Sequence, residues 1–192
     1  PTSGTPASDA NVAADFSDYT LVFRAPAIPT GARLSVGGIP NRRIFLRFNV
    51  PTRILDSATV LRASLLLSQL PNRAVAAKDT VAVVPEYSTA AADLLDVTRS
   101  ALLTSGFSFD TLRVAPGDSG LRVLEVATAV RAWAAAQSST IKLQNALVLR
   151  STRESRSSFE LHFASREAQA ALRPRLRVSY ALREMVLLRG GA

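Results

Sequence analysis

The sequence has no cysteine, one histidine, one methionine and one tryptophan, and only two of its 23 basic residues are lysines, Lys78 and Lys142. Without cysteine there is no disulfide framework, no thiolate nucleophile and no Cys-ligated zinc. The single imidazole, His162, leaves no partner for a His-rich metal site and only one candidate base. No apolar run approaches the roughly 18 residues that a membrane-spanning helix requires. Acidic residues are also few: 15 against 23 basic ones give a net charge of +8. A surface of that sign favours anionic partners such as nucleic acid, acidic polysaccharide or lipid headgroups. The same charge also arises without any such partner when a GC-rich coding sequence writes Arg for Lys. Nucleic-acid binding would call for aromatic residues interleaved with the arginines, a pattern missing here, so no nucleic-acid partner is expected.

The 192 residues are 47% hydrophobic. They suffice for one domain with tails and a core that needs no covalent staple. The chain begins at Pro1 without an initiator Met, as expected of a chain trimmed of a secretory signal and displayed outside the cell or on its surface. Residues 1–18 (PTSGTPASDANVAADFSD) have the composition of a flexible lead-in. From Tyr19 onward the pattern becomes short, apolar-alternating runs separated by turn residues, the signature of a β-sandwich. Strands are expected at 19–24, 33–36, 43–50, 60–70, 80–84, 108–114, 120–126, 146–150, 158–165 and 175–180. In the fourth, alternation turns Leu61, Ala63, Leu65 and Leu67 inward and Arg62, Ser64 and Ser68 outward. The Ala-rich stretch 127–136 reads as a helix, with a second helical turn within 90–103. The expected fold is all-β, a two-sheet jelly-roll β-sandwich over 19–180 with one or two short helices. Residues 181–192 form an extra terminal segment.

Five segments in order carry a resemblance: LSVGG at 34–38, RRIFLRFNVP at 42–51, ATVLRASLLL at 58–67, LEVATAVRAW at 124–133 and FASREAQAALRPRLRVSY at 163–180. Their order resembles the DNRLRE-domain family of extracellular β-jelly-roll modules and related carbohydrate-binding modules found beside polysaccharide lyases. The resemblance implies a jelly roll, an extracellular setting and, for some relatives, sugar binding. Glu167, beside Arg166, falls on the family's SRE pattern, and an ion pair between them is expected to fix the turn before the last strand. Two features depart from the family: residues 79–109 lack the Trp and Asn of its middle segment, and ALREMVLLRGGA extends beyond its usual last strand.

Catalytic, cofactor and metal sites are not expected. His162 lies in FELHFAS, where alternation points it outward as a surface histidine. No GxSxG elbow, phosphate-binding loop, HExxH or Asp-rich calcium loop occurs. The separated pairs Asp93 with Asp96 and Asp110 with Asp118 read as solvated or capping residues. Trp133, among small apolar residues, reads as a core anchor.

The arginines gather in three places: Arg42, Arg43 and Arg47; Arg150, Arg153 and Arg156; and Arg173, Arg175 and Arg177. The third set alternates with Leu176 and Val178, which makes it a basic face that would suit acidic polysaccharide. The ends stand out more. Tyr19, Leu21 and Phe23 share one face of a strand, and 184–189 places Met185 and Leu187 on one face and Val186 and Leu188 on the other. A strand apolar on both faces expects cover on both sides, and a terminal one is suited to completing a neighbour's sheet. The sequence therefore points to a non-enzymatic subunit that assembles with itself. The alternative is a carbohydrate-binding module.

Overall fold

The computed structural model describes residues 31–72, 80–89, 104–106, 110–140, 143–154 and 156–183. Their elements run β1 (Arg33–Gly37), β2 (Ile44–Arg47), α1 (Thr52–Asp56), β3 (Ala58–Leu70), β4 (Val81–Ser88), β5 (Thr104–Gly106), β6 (Leu112–Val114), β7 (Gly120–Glu125), α2 (Ala127–Gln137), β8 (Ala146–Ser151), β9 (Glu160–Ala164) and β10 (Arg175–Leu182). One antiparallel sheet contains β1, β9, β3, β10 and β7; the other contains β2, β8, β4, β5 and β6. The two pack together as an all-β sandwich. The chain changes sheet at most connections, the winding of a jelly roll.

Period-two alternation builds the interior. Leu65, Leu67, Leu124, Leu161 and Phe163 from one sheet meet Ile44, Val83, Leu147 and Leu149 from the other, each at most 2% exposed. A fully buried side chain of this kind contributes about 1.5–3 kcal/mol. The helix α2 closes one end. Its buried residues Ala127, Ala129, Val130, Trp133 and Ala136 recur at three- and four-residue spacing, so one stripe packs on α1 and β3.

Three local features depart from simple alternation. The strand expected at 43–50 ends at Arg47. Pro51 disfavours helical geometry at the residue before it, and α1 then starts with the Ile54 amide donating to the Pro51 carbonyl at 2.9 Å. In β3, Leu61 is 59% exposed while Val60 is buried. The β10 partner of Arg62 is Ser179 and that of Val60 is Tyr180, so Leu61 is an extra, unpaired residue. A bulge flips the alternation on either side of it, which a fixed period of two cannot anticipate.

Third, β9 and β10 lie along the same edge of β3. β9 places His162 opposite Leu70, and β10 places Arg175 opposite Leu66. An unbroken strand would have reached Leu66 at Arg166, so nine residues are looped out between the two.

Gly37 closes β1 at a positive φ of 86°, and a Cβ there would lie 2.6 Å from the Phe159 carbonyl oxygen. That oxygen already accepts the Gly38 amide at 2.9 Å. Gly37→Ala is therefore expected to cost about 1–3 kcal/mol from backbone strain alone. At about 2–4 °C per kcal/mol for a chain of this size, a thermal melt followed by circular dichroism will register it.

Candidate functional site

β10 has its sequence alternation written into its exposure: Arg175, Arg177 and Ser179 face solvent while Leu176, Val178 and Tyr180 are half-buried. One edge of the strand pairs with β3 from Ala58 to Leu66. Among the described residues no strand pairs with its other edge. Such an edge presents a row of main-chain donors and acceptors ready to template another strand. A cleft of about 310 Å³ lies between Leu176 and Val178 on one side and Phe48, Asn49, Val50, Pro51 and Ile54 on the other. Most of its lining residues are apolar: Phe48, Val50, Pro51 and Ile54 come from the end of the β2 run and its turn into α1, and Leu176 and Val178 from β10. An unpaired strand edge backed by an apolar seam is the geometry that accepts an added strand.

The head of this edge is held by Ser165, which is 2% exposed. Its amide donates to the Ala32 carbonyl at 2.8 Å. Its hydroxyl lies 3.0 Å from the Gly31 carbonyl oxygen and 2.6 Å from Glu167 Oε2, and it accepts the Glu167 amide at 3.1 Å. The Ser165 hydroxyl holds the Glu167 carboxyl below its usual range. The expected Arg166–Glu167 pair has a spacing of 3.6 Å, but both side chains are mostly exposed. Exposed pairs contribute little, so the turn is fixed by Ser165, a residue the sequence did not single out.

The outer face of β10 carries arginines that no ion pair among the described residues neutralises. Most other arginines are paired. Arg42 meets Glu160 at 2.7 Å, Arg43 makes two 2.8 Å bonds to Glu154, and Arg150 pairs with the buried Glu86. Arg131 donates to the carbonyls of Val60 and Leu61. Arg173 lies before β10 begins, and its Nε donates to the Ala168 carbonyl at 2.9 Å. The expected three-arginine face therefore reduces to Arg175 and Arg177, neither of which has a side-chain partner among the described residues. Arg177 borders a shallow cleft of about 220 Å³ with Arg62, Ser64, Leu66, Val123 and Ser179. Arg62 donates to Glu125 at 2.9 Å. Burial pushes the Glu125 carboxyl up, and the bonds from Arg62 and the Ala63 amide outweigh it, so it sits below its usual range.

His162 is 8% exposed, not the surface residue that alternation implies. It faces outward from the sheet but sits opposite Ser35 in β1, with Nε2 3.3 Å from Glu160 Oε1. Burial and the charge of Arg33 lower its pKa, and they outweigh the opposing pull of Glu160. The unfolded ring, at its usual 6.5, binds protons more readily than the folded one. The stability held by the neutral ring is thus full above that value and lost as pH falls through it toward the depressed folded value. Glu160 adds a second loss at lower pH. Burial raises its pKa, but the Ser35 hydroxyl and Arg42 bring it below 4.5. The chain has no other histidine. His162→Gln is therefore expected to remove most of the fall in melting temperature between pH 7.5 and 5.5, leaving the fall below pH 4.5 in place.

The assembly residues Tyr19, Leu21, Phe23, Met185, Val186, Leu187 and Leu188 lie outside the described residues, as do the expected helical turn within 90–103 and the pair Asp93 and Asp96. Asp110 accepts the Glu125 amide at 2.7 Å, and Asp118 lies 3.5 Å from Arg122. Among the described residues no group of three or more His, Cys, Asp or Glu could hold a metal, and no helix is long and apolar enough to cross a membrane. The cleft residues Phe48, Val50 and Ile54 went unrecognised in the sequence. The available signal was Pro51, which ends the apolar-alternating run and leads into α1. Comparison with protein-family models and with curated proteins found no match.

Proposed function

We propose that this chain is a non-enzymatic extracellular structural subunit of the DNRLRE jelly-roll type. It assembles with further copies of itself, into a filament or surface layer, by adding a terminal strand of one copy to the β10 edge of the next. The observation that carries this reading is the coincidence of an edge with no described strand beside it and an apolar cleft directly behind that edge. Strand addition satisfies both at once. The ladder supplies the main-chain hydrogen bonds, and alternate side chains fill the cleft. Donor and acceptor are different parts of the chain, so each copy gives and receives, and the contact propagates into a filament where the rotation between copies does not close into a ring. The apolar alternation of Tyr19, Leu21 and Phe23 and of 184–188 supplies candidate donors of the right pattern. The tested arrangement is simple: electron microscopy and light scattering of the full chain, of a chain lacking 1–24 and of one lacking 184–192. Multimers in the full chain that disappear on one deletion support the proposal. A full chain of single-subunit mass at high concentration would sink it.

The alternative reading, a module that binds acidic polysaccharide, is favoured by Arg175 and Arg177 standing without side-chain partners beside the Arg62 cleft. Arg175→Ala with Arg177→Ala would then abolish salt-sensitive retention on an alginate- or pectin-type polymer, since exposed charge contacts weaken as ionic strength rises. On the assembly reading the same pair leaves the multimers in place.

A further inference from the structure

We propose that the cavity bounded by the two helices, the start of β3 and the end of β10 binds a small zwitterion: an aliphatic amino acid or short peptide with its ammonium and carboxylate both free. The site is separate from the β10 edge and does not depend on the strand-addition reading.

The local sequence builds the cavity. The short helix α1 ends at Asp56, and Ser57 turns the chain directly into β3. α2 packs on both of them, and the last pair of the β3–β10 ladder sets Leu182 opposite Ala58. The chain leaving β10 is then fixed by the Arg183 amide, which donates to the Ser57 carbonyl at 2.9 Å. That bond brings Arg183 beside the end of α1. The enclosed space is about 700 Å³, more than twice the volume of the cleft behind β10, and of the size that small-molecule sites have.

Its lining divides by chemistry. Leu55 and Val60, both buried, and the half-buried Ala134 make an apolar floor. Asp56, Arg131 and Arg183 bring one negative and two positive charges, and Thr59 and Ser138 add hydroxyls. These charges are not consumed by the fold. Arg131 donates from Nε to the Val60 carbonyl at 3.1 Å and from one terminal nitrogen to the Leu61 carbonyl at 3.0 Å. Those carbonyls belong to the bulge, where Leu61 has no partner on β10. They hold the guanidinium in place without cancelling its charge. The side chains of Asp56 and Arg183 have no hydrogen-bond or ion-pair partner among the described residues, in each other or elsewhere.

The mixture of signs selects the ligand. An inorganic anion or a plain carboxylate would suit the arginines but would meet Asp56 as a like charge. A plain amine would suit Asp56 but would meet two cations. A ligand that carries both charges answers all three groups at once. Its carboxylate takes the paired N–H groups that a guanidinium offers, its ammonium takes Asp56, and its aliphatic side chain covers Leu55 and Val60.

Isothermal titration calorimetry of the full chain tests this with leucine, leucyl-leucine and two blocked forms. N-acetyl-leucyl-leucine lacks the ammonium, and leucyl-leucine amide lacks the carboxylate. Saturable binding of leucine or leucyl-leucine is expected, and the tighter of the two sets the size of the ligand. Each blocked form is expected to bind at least about tenfold more weakly, the effect of losing one charge-assisted hydrogen bond. Asp56→Asn is expected to weaken the free dipeptide while leaving the acetylated form unchanged. Arg183→Gln is expected to weaken the free dipeptide while leaving the amide unchanged. Both side chains are exposed, and loss of the fold would not produce this crossed pattern. No saturable binding of either free ligand at about 10 mM would overturn the proposal. Equal binding of free and blocked forms would reduce the site to its apolar floor and would overturn it as well. So would binding that both variants leave unchanged, which would place the ligand elsewhere.

Discussion

Trp133→Ala is expected to destabilise the chain by about 3–5 kcal/mol, the usual cost of emptying a large buried aromatic site. Trp133 is fully buried on the inner stripe of α2. It belongs to the same buried core cluster as Ala129 and Val130, on a helix that packs on α1 and β3, so its removal leaves a cavity there. Domains of this kind are stable by about 5–15 kcal/mol, so a large share of the total would be lost. Trp133→Phe is expected to cost less than half as much. The indole Nε1 is buried without a hydrogen-bond partner among the described residues, and Phe removes that donor while keeping much of the ring. Urea denaturation followed by circular dichroism measures both. A loss below 1 kcal/mol for Trp133→Ala would mean that α2 does not anchor the sheets.

Val178→Lys is expected to abolish assembly with little effect on the fold. Val178 is half-buried on the inner face of β10 and lines the cleft behind the open edge. In the single chain a lysine there can extend its stem along the cleft and keep its ammonium in water. Covered by an added strand, the charge would be buried at a cost of several kcal/mol. At 1.4 kcal/mol per factor of ten, that weakens the contact at least about a hundredfold. Inward-pointing charge on an edge strand is also how natural sheets prevent edge-to-edge pairing. Light scattering is expected to give single-chain mass for the variant at concentrations where the parent chain is multimeric, with the two melting within a few degrees. A variant that still assembles would move the contact away from β10.

The sandwich was legible in the sequence because alternation is a property of single strands. β1, β7, β8 and β10 are found within two residues of where period-two reading expects them, and α2 declares itself by Ala-rich composition and the absence of Gly and Pro. What remained hidden depends on pairs of distant segments. The exposure of Leu61 follows from a bulge that only the pairing with β10 creates. The burial of His162 follows from Ser35 and Glu160 closing around it. Ser165 gains its role from the Gly31 and Ala32 carbonyls, more than 130 residues away in sequence. The open edge is of the same kind. RLRVSY reads as a strand with a basic outer face, but nothing local reveals that β9 and β10 are one edge interrupted by nine residues, or that this edge lacks a neighbour among the described strands. The arginine excess was also only half legible. Composition gave the charge, whereas the ion pairs of Arg42, Arg43, Arg62 and Arg150 show that much of it is used within the fold.

Hydrogen exchange at Arg175–Leu182 across a range of protein concentrations tests the central claim most directly. In the single chain, amides on the side of β10 that no described strand pairs are expected to exchange quickly. If copies join at this edge, those amides slow at least tenfold as the concentration rises into the multimeric range, while β4 and β8 are unchanged. Amides of β10 that stay fast in the assembled state, or protection that appears on other strands in their place, would contradict the account.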